Sequence, residues 1–293
     1  MFYRQKILLA MTEVSGKRVG NTDLQKLLFL YCQETQQNHY DFFPYQFGAF
    51  SFISYFDKRK LIEQGYLKNV DYFELTASSS YIYQLKPKDH ASLREFAAKT
   101  KSLRDQKLIH KAYLEYPEYA SKSTIINKIL SPKEQDKVRQ SWSTDLSPTL
   151  FTIGYEGSTI DDYIRRLTIN NVRVLIDVRR NPLSRKHGFS KKRMQHYLER
   201  VGIQYHHIPE LGIESHLRKN LSDKASYIDL FDLYAKTVLP DQSIALDKIT
   251  EIASKHGRVA LTCFEADPCM CHRHKITERL KENEKFNFPI VHI

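Results

Sequence analysis

No apolar run in these 293 residues is long enough to cross a bilayer. The start, Met1-Phe-Tyr-Arg-Gln-Lys6, lacks the charged-then-apolar order of a secretion signal. These absences point to a cytoplasmic protein with no membrane partner. Cysteine is too scarce and too unevenly placed for a disulfide framework: of four, Cys32 stands alone, while Cys263, Cys269 and Cys271 crowd together. There is no internal repeat and no low-complexity tract, which excludes solenoids and disordered spacers. Acidic side chains are outnumbered, 34 Asp and Glu against 45 Lys and Arg, giving a net charge of +11. The surplus raises local phosphate concentration, so a nucleic-acid partner is expected, with DNA favoured over RNA. The remainder is ordinary: 41% hydrophobic residues, a mean hydropathy of -0.51 and a length comfortable for two domains.

The first half reads as helices closed by a small hairpin. Gln5 to Val14 forms a short amphipathic helix ended by Ser15-Gly16. Asn21 or Thr22 offers a cap for the next, in which Leu24, Leu27, Leu28 and Tyr31 recur at helical spacing. A third helix runs from about Ser51 to Gln64, with Gly65 as its left-handed stop. Gly65 to Lys68 and Tyr72 to Thr76, separated by Asn69-Val70-Asp71, read as a hairpin. Ser92 to Glu115 and Ser121 to Leu130 read as further helices. Helices closed by a hairpin resemble a winged-helix module, and Leu24 to Leu30 with Pro44 to Gly48 resemble the helical domains of antitoxin-type and regulatory proteins. That resemblance implies that the helix from Ser51 faces a duplex with Lys58, Arg59 and Lys60. Tyr55, Phe56, Leu61 and Ile62 on the same helix read as core. Ser131-Pro132 and Ser147-Pro148 bracket a polar stretch, so the division is a mostly helical domain at 1–130, a linker at 131–148 and a second domain at 149–293.

The second domain alternates strand and helix. Strands are expected at 150–154, 173–178, 203–208, 258–264 and 288–293, with helices at 160–170, 191–201, 227–238, 244–256 and 272–283. This alternation gives a parallel, Rossmann-like α/β sheet covered on both faces. Three apolar runs stop at clusters of reactive residues: Phe151 to Gly157, Ile176 to Arg185 and Leu261 to Arg273. In a parallel sheet such clusters gather beyond the carboxyl ends of the strands. The motifs Gly154-Tyr155-Glu156-Gly157, Asp177-Val178-Arg179, Ser184-Arg185, Phe189-Ser190, Tyr205 to Gly212 and Cys271-His272-Arg273 together resemble the family known as domain of unknown function 488, over about residues 149–293.

Asp177, Glu156 and Glu265 are the candidate acid and base groups, because adjacent carboxylates and arginines push one another's pKa values apart. Asp177 also interrupts a buried apolar run, a placement that needs compensation. Arg179 and Arg185, with Ser190 and Lys191 at the start of a helix, form the candidate phosphate site, where Ser190 would cap the helix. Tyr155, His272 and Arg273 are assigned to the same anion-holding group. No metal is required. Cys263, Cys269, Cys271 and His272 are weak candidates, since their spacing matches no common zinc motif, although several carboxylates together could hold a divalent ion. Alternation sends His206 and His207 to opposite faces, so at most one reaches the crevice.

The expectation is therefore an enzyme hydrolysing a glycosidic or phosphodiester bond in nucleic acid or a nucleotide, targeted to DNA by its first domain. Two rivals stand beside it: a DNA-binding regulator that senses a nucleotide or modified base, and an interaction module of a toxin–antitoxin or phage-defence system.

Overall fold

The computed structural model describes residues 1–68, 70–76, 80–142, 144–218 and 224–293. The chain divides into two compact units, Met1–Ser143 and Thr144–Ile293. No helix among the described residues is long and apolar enough to cross a membrane.

The first unit contains α1 (Tyr3–Val14), β1 (Arg18–Gly20), α2 (Asn21–Thr35), β2 (Phe43–Tyr45), β3 (Gly48–Phe50), α3 (Phe52–Glu63), β4 (Tyr72–Glu74), α4 (Pro87–Thr100), α5 (Asp105–Glu115), α6 (Ile126–Ile129) and α7 (Pro132–Arg139). The helical spacing in α2 does what it implies: Leu24, Leu27, Leu28 and Tyr31 are fully buried, in a core shared with Ile7, Leu8, Leu61, Phe73 and Leu93. Ser51 caps α3 by accepting from the Ser54 amide at 3.2 Å. Gly65 ends that helix region at φ +77. β4 pairs antiparallel with β1, and Leu67 bridges Leu75 across the expected hairpin, whose turn residue Asn69 lies outside the described residues.

Five local expectations change, the first being that the helix expected at 121–130 is reduced to the four residues of α6. α2 is preceded by Gly20 rather than capped by Asn21 or Thr22, and the Asn21 side chain instead accepts from Lys58 Nζ at 2.6 Å. The single helix expected at 92–115 is two, α4 and α5. The second begins at Asp105, which has a positive φ of 52 and donates its amide to Asp23 at 2.9 Å. β2 and β3 form an unexpected hairpin, packed through Phe43, Tyr45, Phe50 and Phe52. The stretch read as a linker contains α7, opened by a capping box between Ser131 and Glu134. Val138 and Trp142 beyond it pack with Ile109 and Tyr113, leaving 144–148 exposed.

The second unit contains β5 (Thr149–Gly154), α8 (Ile160–Ile169), β6 (Val174–Asp177), α9 (Lys191–Arg200), β7 (Gln204–His207), α10 (Lys224–Thr237), α11 (Ser243–His256), β8 (Arg258–Cys263), α12 (Arg273–Lys281) and β9 (Ile290–His292). Its five strands form one parallel sheet in the order β7-β6-β8-β5-β9. β5, β6 and β8 are buried along their whole length. That is why they read as continuous apolar runs rather than alternating ones. α10, α11 and α12 cover one face through a core that includes Ile176, Val178, Leu261 and Cys263. α8 covers the other, where Tyr163 donates to Thr262 at 2.7 Å. The chain winds from β5 out to β7 and then returns to β8 and β9. The loops leaving β6 and β8 therefore diverge to opposite faces at the carboxyl edge, the place where doubly wound sheets gather their functional residues.

Candidate functional site

Asp177 ends β6 and is fully buried. Its Oδ1 accepts from Arg179 Nε at 2.8 Å and from the Arg179 amide at 3.1 Å, and its Oδ2 accepts from Arg179 Nη2 at 2.5 Å and Tyr205 Oη at 2.6 Å. The remaining Arg179 nitrogen, Nη1, donates to Tyr155 Oη at 2.8 Å and to the Phe189 carbonyl at 3.0 Å. Tyr155 stacks on Phe189 at 4.4 Å. Both charges are thus removed from water, and each nitrogen of the guanidinium donates at least one hydrogen bond. Burial, with the Asp177 charge next, pushes the Tyr205 hydroxyl well above its ordinary range. Arg179 and Tyr155 were expected to hold phosphate. Instead they join the loop after β6 to the loop after β5, and both are buried.

The cations left at the rim belong to the rest of the loop and to α9. Arg185, Lys191, Lys192 and Arg193 are exposed. Lys186 donates from Nζ to the Tyr155 carbonyl at 2.9 Å, and burial lowers its pKa. Lys191 Nζ lies 3.0 Å from His207 Nδ1, and His207 Nε2 lies 2.9 Å from the Arg179 carbonyl. His207 thus sits at the edge, whereas the pKa of His206 is lowered by burial and by Lys248, His256 and Lys255, the last three all from α11. Ser190 precedes α9 without capping it, because its hydroxyl turns back to donate to the Ser184 carbonyl at 2.8 Å. No acidic side chain stands in the first turn of α9.

The other two carboxylates lie just past β5 and β8 on this edge. Glu156 is exposed and accepts from the Ala266 amide at 3.1 Å, stapling one loop to the next. Glu265 is half-buried, with Oε2 at 3.4 Å from Cys263 Sγ. Arg273, expected to bind an anion at the amino end of α12, is 1% exposed. It donates to the carbonyls of Glu265 and Ala266 and to Thr152 Oγ1. His272 is buried beside it, with Nε2 at 3.3 Å from the Val178 carbonyl. Cys263 and Cys271 are buried near His272, whereas Cys269 is exposed. Burial first, then Cys263 and Glu265, push the Cys271 thiol well above its ordinary pKa.

Of the three basic residues expected on the duplex-facing helix of the first unit, Lys58 is turned inward. It is 2% exposed and donates to Asn21 and to the Val70 carbonyl at 2.7 Å. It also lies 4.4 Å over the Phe73 ring, and burial lowers its pKa to about 8. Arg59 and Lys60 are exposed, and Lys60 pairs with Glu63.

Two members of the site carried no assignment in the sequence. Tyr205 completes the shell of Asp177, a role that its two-residue spacing from His207 on one strand face could have signalled. Arg166 reaches from α8 to the Gly154 carbonyl at 3.1 Å and to Ser158 at 2.6 Å, and nothing in its helical surroundings marks it out.

Fold and edge together define a doubly wound α/β unit with its reactive residues in the loops beyond the strands. Residues 159–280 match the family described as Domain of unknown function DUF488. No curated protein and no solved structure matches the chain.

Proposed function

We propose that this protein acts on nucleic acid or a nucleotide and seats a phosphate against the amino end of α9. One observation carries the reading: Lys191, Lys192 and Arg193 occupy the first turn of that helix with no acidic side chain among them. The amino end of a helix is already electropositive, so three cations there repel both the dipole and one another. A bound anion relieves that repulsion and gains first-turn amides other than that of Lys191, which is donated to the Pro182 carbonyl at 2.9 Å. The network of Asp177, Arg179, Tyr155 and Phe189 lies behind this rim and gives it a rigid base. Arg59 and Lys60 on α3 supply the first unit's proposed winged-helix contact with DNA.

Hydrolysis of a glycosidic or phosphodiester bond is the reading in which Glu156 and Glu265 act as acid and base. It is favoured by their positions just past β5 and β8 on the same edge. Asp177 supports the site from behind, since its carboxylate is saturated by Arg179 and Tyr205.

The test is binding of the full chain to defined single- and double-stranded DNA, RNA and mononucleotides across a salt series, followed by mass spectrometry of each ligand. Binding should weaken steeply with salt. The double substitution Lys192→Glu and Arg193→Glu should reduce affinity about tenfold or more at low salt, without lowering thermal stability. Product formation supports the hydrolase, and tight binding without product supports the sensor. Unchanged affinity in the double variant removes the α9 site.

A further inference from the structure

The structure assigns a zinc site to Cys263, Cys271 and His272, on the face of the sheet opposite Asp177. The donor atoms of Cys263, Cys271 and His272 lie within 4.8 Å of one another, and all three residues are buried. His272 Nδ1 is 3.7 Å from Cys263 Sγ and 3.9 Å from Cys271 Sγ. Zinc bonds of about 2.3 Å to sulfur and about 2.0–2.2 Å to nitrogen or oxygen place tetrahedral neighbours about 3.5–3.8 Å apart. The observed separations fall around that range.

One further feature points to a metal. His272 Nε2 faces the Val178 carbonyl at 3.3 Å. A proton on that nitrogen leaves the Nδ1 lone pair aimed at the two sulfurs, which is the arrangement that orients an imidazole ligand from outside. Two thiolates among the donors favour zinc over magnesium or calcium. Its protein ligands come from the end of β8 and the residues just before α12, so the ion pins the loop between them to the exit of β6.

Binding follows from the metal alone. Full-length protein purified without chelator should contain one zinc per chain by elemental mass spectrometry. Cobalt reconstitution should give tetrahedral ligand-field bands and a thiolate charge-transfer band. Cys269→Ser should leave the zinc in place, because Cys269 is exposed and outside the cluster. Cys271→Ser should lose it. If the cysteine variant does not fold, chelation of the parent decides: removal of zinc should lower the thermal midpoint, and an unchanged midpoint overturns the site. Substoichiometric zinc, stoichiometric iron or copper, or a Cys263–Cys271 disulfide in the purified chain also overturns it.

Discussion

Asp177 shows how one side chain can read as chemistry in a sequence and as architecture in a fold. A charge inside an apolar run demands a partner, and the partner lies two residues away in Arg179. Removing only the charge should therefore cost stability before it costs anything else. Asp177→Asn places an amide donor against guanidinium donors and leaves Arg179 buried and unpaired, a loss of about 3–5 kcal/mol. Tyr205→Phe removes one bond from a carboxylate that Arg179 still satisfies, and should cost about 1.5 kcal/mol. Urea denaturation of the two variants checks this order. An Asp177→Asn protein as stable as the parent but without function would return Asp177 to the chemistry. Lys26 makes a different case at the same scale. It is 2% exposed and donates to the Ala49 carbonyl, and burial lowers its pKa to about 7. The unfolded chain, with an ordinary lysine pKa near 10.4, binds more protons than the folded one between about pH 7 and pH 10. Stability should accordingly rise with pH across that window, and the full penalty of the buried charge is present below it. Lys26→Met should stabilise the first unit by a few kcal/mol near pH 6 and flatten the pH dependence of the denaturation midpoint. A parent with no slope between pH 7 and 10 would contradict the assignment.

The elements of the second unit were legible almost to their ends, each within three residues of the sequence pattern. Buried parallel strands write themselves as runs such as Val174 to Ile176, and the helices between them are amphipathic and closed by residues such as Gly202 and Gly257. Less legible was everything set by contact between elements. Nothing local to Arg273 reports that loop carbonyls will surround it, nor does the Lys58-Arg59-Lys60 run show which lysine turns under Phe73. The β2–β3 hairpin was missed because its strands have three residues each, too few to display a period of two. Loop-to-loop contact at the carboxyl edge also explains two glycines. A Cβ on Gly154 would lie 1.8 Å from the Glu265 carbonyl oxygen, and one on Gly212 would lie 2.1 Å from the Arg180 nitrogen. In both cases backbone has to move. Gly212→Ala should therefore destabilise by about 1–3 kcal/mol or more and displace the segment carrying Arg179 and Arg180. Thermal unfolding of this variant beside Gly202→Ala separates the causes. Gly202 has open space but a positive φ of 76, so its cost is conformational only, about 1 kcal/mol. Equal losses in the two variants would count against loop contact as the reason for glycine at 212.

At the scale of the whole molecule, each unit buries its own core and the charge surplus seen in composition resolves into local patterns. Some basic side chains are interior, as Lys26, Lys58, Arg179 and Arg273 show. Net charge alone therefore overstated the surface available to a polyanion. The order of the strands carries one more consequence. β8 lies between β6 and β5, although it follows them by more than 80 residues of chain. During synthesis, β5 and β6 leave the ribosome without the strand that joins them and have no shared sheet until residue 263 has been made. The apolar segment Leu150 to Ile153 therefore has no strand partner throughout that interval, while Val174 to Ile176 has only β7, on one side, when newly made chains are most exposed to aggregation. A strand order that builds the reactive edge at its centre thus lengthens the time for which the nascent chain depends on chaperones.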